Sequence, residues 1–251
     1  EVFADVQAAF ESYQFFQFFQ TVQNFCVVDL SNFYLDIAKD RLYISSANSA
    51  RRRSCQTVLA VAIESLAKAI APVLSHMAED IWQSLPYETA TESVFESGWV
   101  QMEAAWVEPK LAESWERLRK IRDEANTVLE QARADKAIGS SLQAKLQLSV
   151  TDANLRSQLA AMNPADSMSD ESNQVDELRY LFLVSQVEIV DSLETLTGAK
   201  YKKEVEGTTI AVIEADGEKC DRCWNYSTHV GESAEDPTIC DRCVAALSDR
   251  F

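Results

Sequence analysis

A chain of 251 residues that is 47% apolar and 25% charged has enough apolar side chain to bury a core, which excludes a disordered polymer. No run reaches the roughly 18 consecutive apolar residues of a membrane helix, and residues 1–10 lack the basic start and apolar centre of a signal peptide, so no membrane partner is expected and a cytoplasmic or organelle-matrix location is. The net charge of −17 argues against a nonspecific DNA coat, but residues 108–150 hold eight bases against seven acids while 151–199 hold two against nine, so local basic strips remain open to RNA.

The chain opens on Glu1 and runs at once into an aromatic-rich helical pattern, which reads as an excerpt of something longer. From Tyr13 to Cys26, Phe15, Phe16, Phe18, Phe19, Val22, Phe25 and Cys26 recur at three- and four-residue steps, predicting a mostly buried helix. Ser31 is a plausible N-cap for a second, amphipathic helix ending near Ser45. Ser54 to Leu85 forms a third helical pattern, which Pro72 should kink or divide because it lacks a backbone donor and clashes with the preceding turn. A loop from Pro86 to Gly98 precedes Pro109, a good first helical residue, and a fourth long helix carrying Leu111, Trp115, Leu118, Ala125, Leu129 and Ala132.

Beyond Gly139 the period changes to two, as Ala144, Leu146, Leu148 and Val150 alternate with Lys145, Gln147 and Ser149, and a small α/β unit begins. Short helices near 153–161 and 176–183 and strands near 187–190 and 208–213 complete it, with the acidic stretch 163–174 expected as a mobile loop.

The strongest chemical signal is Cys220-Asp221-Arg222-Cys223 followed, sixteen residues on, by Cys240-Asp241-Arg242-Cys243. Each C-x2-C turn can aim two thiolates at one ion, and two turns complete the tetrahedral sulfur shell of zinc, a cofactor expected at one per chain. Two disulfides are the alternative, disfavoured in a reducing compartment, and Cys26 and Cys55 read as core residues. Four protein ligands leave no open position, so the zinc is structural; His229 is not needed. RNA near this centre would meet Lys219, Arg222, Trp224 and Arg242, a set that a charge-paired solvated surface explains equally well. Lys39, Arg41, Arg51, Arg52 and Arg53 form a second basic group around a helix start; by composition alone it is more readily a solvated, ion-paired corner than an RNA contact.

Residues 30–43, Leu-Ser-Asn-Phe-Tyr-Leu-Asp-Ile-Ala-Lys-Asp-Arg-Leu-Tyr, with Arg52-Arg53-Ser54 and Gln56-Thr57, resemble the anticodon-binding domain of bacterial-type isoleucyl-tRNA synthetases. Residues 71–82 resemble a segment shared with the valine, leucine and methionine enzymes, Ser75 standing where that family often has a second proline. Arg133 to Lys136, Ile138 to Ala144 and Lys219 to Trp224 are similar to the family's small α/β subdomain and zinc ribbon, so the resemblance covers nearly the whole chain.

The resemblance implies a mainly α fold: a helical anticodon-binding bundle over 1–135, a small α/β subdomain over 136–215 and a four-cysteine zinc ribbon over 216–251. It also implies a monomer that binds the anticodon arm of tRNA for isoleucine and not DNA, through Lys39, Arg41, Arg51, Arg52, Arg53, Arg222, Trp224 and Arg242. The ligase family's ATP-binding His-x-Gly-His and Lys-Met-Ser-Lys motifs do not occur, so ATP is expected to serve only a catalytic part outside this chain. A zinc-ribbon DNA-repair or protein-interaction module is the rival reading.

Overall fold

The computed structural model of the chain describes residues 1–101, 103–163, 177–196 and 198–251. These divide into two compact units, Glu1–Leu42 with Arg52–Glu108, and Tyr43–Arg51 with Pro109–Phe251.

In the first unit, α1 (Val2–Glu11) and α2 (Phe15–Asn24) form a hairpin turned at Tyr13, whose φ of 57° is left-handed. Phe10 packs against Phe18 and Trp99 with ring centroids 4.7 and 5.4 Å apart, and Val6, Ala9, Ile70, Ala78 and Trp82 fill the same core. The expected burial of the aromatic helix holds only at Phe18. Phe15, Phe16 and Phe19 are 52%, 73% and 57% exposed and Cys26 is half-buried. At about 100° per residue Phe15, Phe16, Phe18 and Phe19 spread over about 160° of the helix, wider than the stripe of about 100° that a single packing neighbour covers.

Ser31 caps nothing. The chain stays helical from α2 through a π-helical stretch, Phe25–Leu35, into α3 (Asp36–Tyr43), and Ser31 lies in the middle of the wide turns. A capping residue acts only where the backbone leaves helical dihedrals, and here Phe25 continues in the right-handed region. Pro72 does divide the next helical pattern, into α4 (Ala50–Ile70) and α5 (Ser75–Gln83). α4 starts four residues earlier than expected, so Arg51, Arg52 and Arg53 occupy its first turn rather than precede it.

The second unit is built on α6 (Pro109–Ala134), with Pro109 at the first helical position. Its buried stripe of Leu118, Ile121, Ala125, Val128, Leu129 and Ala132 packs on a four-stranded sheet of order β2-β1-β4-β3: β1 (Ala144–Val150), β2 (Gln186–Val190), β3 (Tyr201–Val205) and β4 (Thr208–Glu214). β1 and β2 run parallel, so the chain must cross over between them, and α7 (Ala153–Ala161) and α8 (Glu177–Phe182) lie in that crossover. The expected loop at 163–174 lies outside the described residues after Asn163, as does residue 176 of the expected helix.

β3 has no counterpart in the sequence reading. Lys202, Lys203 and Glu204 are exposed on this edge strand, the charged pattern that protects an edge and hides its period, and Lys203 pairs with Glu124 of α6. The turn to β4 places Glu206 and Gly207 at φ 50° and 71°, as a tight two-residue hairpin requires.

On the other side of β1, Lys145 bridges Glu188 and Asp216, each at 3.1 Å, and Gln147 donates to Glu188 at 2.9 Å. The Gln147 amide and then the Lys145 ammonium hold the Glu188 carboxyl below its usual range. A depressed carboxyl contributes stability that is complete above its unfolded value and lost as pH falls through the folded one. Thermal unfolding followed from pH 6 to pH 3 should therefore show Glu188→Gln losing less stability than the parent below about pH 4.5, by a few tenths of a kcal/mol because solvent screens the pair.

Candidate metal centre and nucleic-acid interface

The last part of the second unit is shaped by short-range hydrogen bonding. β5 (Glu218–Lys219) pairs with β6 (Tyr226–Ser227), and between them the Trp224 N–H donates to the Cys220 carbonyl and the Cys220 N–H to the Asn225 carbonyl, each at 2.9 Å. This closes the first Cys-x2-Cys turn. The Asp221 N–H donates to the Thr238 carbonyl at 3.1 Å, and the Cys240 N–H lies 3.3 Å from the Cys220 sulfur, so the second turn is drawn onto the first. Cys240 is the N-cap of α9 (Asp241–Leu247), and Cys243 falls in the first turn of that helix.

The four sulfurs lie within 4.8 Å of one another, with Cys220 to Cys243 at 3.7 Å and Cys223 to Cys240 at 3.8 Å. A tetrahedron with zinc–sulfur bonds of about 2.3 Å has edges of about 3.8 Å. The distances are far from the roughly 2.05 Å of a disulfide, and all six cysteines are free. Cys220, Cys240 and Cys243 are buried.

Thiol donation from Cys240 and Cys243 holds Cys223 far below the usual thiol range, with Arg242 assisting, while the same contacts push Cys240 up to about 11 and Cys243 higher still. A divalent cation is what lets clustered thiols ionise together. The residues therefore fit zinc. His229 stands apart, pairing with Glu232 at 2.8 Å.

The basic residues fall into two kinds. Lys39 is exposed beside Asp36 at 2.6 Å, Arg41 and Arg52 are half-buried, and Arg53 is exposed. Arg53, Gln56 and Thr57 also rim an open groove floored by Leu30, Leu35, Ile63 and Leu66. Arg51 and Arg242, by contrast, serve the second unit's interior: both guanidiniums lie over the rings of Tyr180 and Phe251, and Arg242 is 4% exposed and donates to the Tyr180 hydroxyl at 2.6 Å. Arg222 donates to the Ile44 carbonyl at 3.0 Å. Trp224 is 62% exposed, held at φ 65°, with the Lys219 ammonium 5.4 Å from its ring centre. Ile44, Tyr180 and Phe251 had no signal in the sequence as parts of this region, because single apolar residues far apart in the chain carry no motif.

The family described as "Anticodon-binding domain of tRNA ligase" matches residues 1–148. The chain belongs to that family. A second family, "Zinc finger found in FPG and IleRS", matches residues 217–246, the segment holding all four clustered cysteines, and supports zinc binding. The anticodon-binding match, which covers more than half of the chain, disfavours a stand-alone zinc-ribbon repair module.

Among its relatives are isoleucine–tRNA ligases of Synechococcus sp., 66% identical over 251 residues, Crocosphaera subtropica, 65% identical over 251 residues, and Rippkaea orientalis, 66% identical over 251 residues. Each alignment covers 100% of this chain and 26% of the relative, so the chain spans about a quarter of the length of these curated relatives. No described helix is long and apolar enough to cross a membrane.

Proposed function

We propose that this chain is the part of an isoleucine–tRNA ligase that holds the anticodon arm of its tRNA, while ATP-dependent attachment of isoleucine takes place on a part outside it. The match of the anticodon-binding family to residues 1–148 carries the reading. In this proposal zinc is structural, one per chain, bound by Cys220, Cys223, Cys240 and Cys243, and the protein acts as a monomer that does not bind DNA.

Lys39, Arg41, Arg52 and Arg53 supply the cations that phosphates require, and the groove beside Arg53 offers apolar surface to unstacked bases. Arg52 and Arg53 at the start of α4 oppose the helix dipole, a cost of a few tenths of a kcal/mol each that a bound polyanion offsets. Trp224 presents a ring to stacking with the Lys219 ammonium beside it, and Arg222 lies two residues earlier in the same Cys-x2-Cys segment. Within the second unit, Arg51 and Arg242 pack on Tyr180 and Phe251 rather than touch RNA.

Filter binding of tRNA for isoleucine, of other tRNAs and of a DNA duplex over a range of salt tests the proposal. Affinity for the isoleucine tRNA should fall steeply with salt. Arg52→Ala and Arg53→Ala should each either lower the log–log slope by nearly one, marking a phosphate contact, or cost about 1–3 kcal/mol selectively, marking a base contact. Arg119→Ala on α6 controls for loss of charge. Equal affinity for duplex DNA, or unchanged affinity and slope in both variants, would remove the basis for this assignment.

A further inference from the structure

The zinc ribbon is bound to a segment almost 200 residues earlier in the chain. Residues 43–51 connect α3 to α4, yet they pack with the second unit. Ile44 is 9% exposed, and its side chain belongs to the same small core as Cys220, Ile239, Cys240 and Cys243, with Val230 and Val244 around it. The main chain is held as well: the Ile44 carbonyl accepts from Arg222, inside the first Cys-x2-Cys turn, and the Ser46 N–H donates to the Phe251 main-chain oxygen at 2.6 Å. At the far end of the connector, Arg51 stacks on Tyr180 and on Phe251, and Arg242, between the second pair of cysteines, stacks on the same two rings. Three separate points of the connector are thus tied to the metal-binding segment or to residues touching it.

We infer that the zinc ribbon is a clasp on this connector: the folded metal site fixes residues 43–51, and Ile44 and Arg222 are its positioning residues. The physical reason is that the clasp has no core of its own. Four of the residues around Ile44 are the metal-binding cysteines, so without the ion that binds them Ile44 has no fixed surface to pack on. Residues 47–49 form no regular element, and Ser45 and Ser46 are buried polar residues. The inference rests on the reading that these cysteines hold zinc.

Amide hydrogen exchange on the zinc-loaded chain, on the same sample after EDTA treatment and again after zinc is restored, tests it. Peptides covering 43–49 should exchange at least about tenfold faster without zinc, together with those of 217–247, while β1 and β4 keep their protection. Ile44→Ala provides the reciprocal test, because coupling between two sites is mutual: zinc affinity in competition with a chromogenic chelator should fall several-fold, whereas Val58→Ala, at a 50% exposed position of α4, should leave it unchanged. A chain that holds no zinc overturns both this inference and the assignment of the cysteines. A chain that holds zinc, loses ribbon protection on chelation and keeps 43–49 protected overturns the clasp alone.

Discussion

Removal of zinc, or Cys243→Ser, is expected to unfold residues 217–247 while the sheet and α6 remain folded. The ribbon has two two-residue strands and one seven-residue helix, and its core of Ile44, Ile239, Val230 and Val244 is completed only by the cysteines. Apolar burial on that scale cannot offset the ordering of some thirty residues at about 1.5 kcal/mol each. Structural zinc in small fingers contributes about 10–16 kcal/mol at neutral pH, more than enough to decide the balance.

The body of the second unit has a core apart from the ion: Leu118 and Ile121 of α6, Leu146 and Leu148 of β1, Leu178 and Phe182 of α8 and Ile210 of β4 are all fully buried. Metal analysis should find one zinc per native chain and none bound tightly in Cys243→Ser, with proteolysis of the variant confined to the ribbon and to the connector it clasps. Cys26→Ser, at a half-buried position outside the cluster, should keep its zinc. Normal zinc content in Cys243→Ser, or a protease-resistant ribbon after chelation, would contradict the four-sulfur site.

Gly217→Ala should be almost as damaging, through sterics alone. Gly217 has φ 86°, and a Cβ there would stand 2.3 Å from the carbonyl carbon and oxygen of Ser227 and 2.5 Å from the Thr228 nitrogen. All three are backbone atoms, so no side-chain rotation relieves the overlap; β5 and β6 must separate, and with them the Cys220 turn that begins at the next residue after Lys219. A left-handed alanine adds its own strain of about 1 kcal/mol, and the overlap raises the total to about 3 kcal/mol or more. In chelator competition that corresponds to a zinc affinity lower by about a hundredfold. Gly98→Ala isolates the strain from the overlap: Gly98 has φ 71° but nothing within 4 Å of a Cβ, so only the smaller cost should appear. If Gly217→Ala binds zinc as the parent does, the close approach of the two strands is not a feature of the folded protein.

What the sequence by itself determined lies where the physical cause is local. Paired Cys-x2-Cys turns declare their chemistry because two residues of spacing suffice to aim two sulfurs at one point. Pro72 breaks a helix and Pro109 starts one because each acts on its own turn. The alternation of β1 is visible because the strand is buried on one face along most of its length. Ser31 and β3 were misread or missed because a cap residue and a charged edge strand acquire their roles from neighbours, not from themselves.

The tertiary structure alone decided which cations face outward. Arg242 and Arg222 sit in matching places in the two cysteine turns, Cys-Asp-Arg-Cys each time, yet one is sealed against Tyr180 and the other reaches Ile44. Nor could spacing reveal that a connector at 43–51 completes the core of a metal site at 220–243. A contact between residues so far apart in the chain leaves no period or motif; it exists because a metal-binding segment too small to bury its own apolar face borrows one from elsewhere.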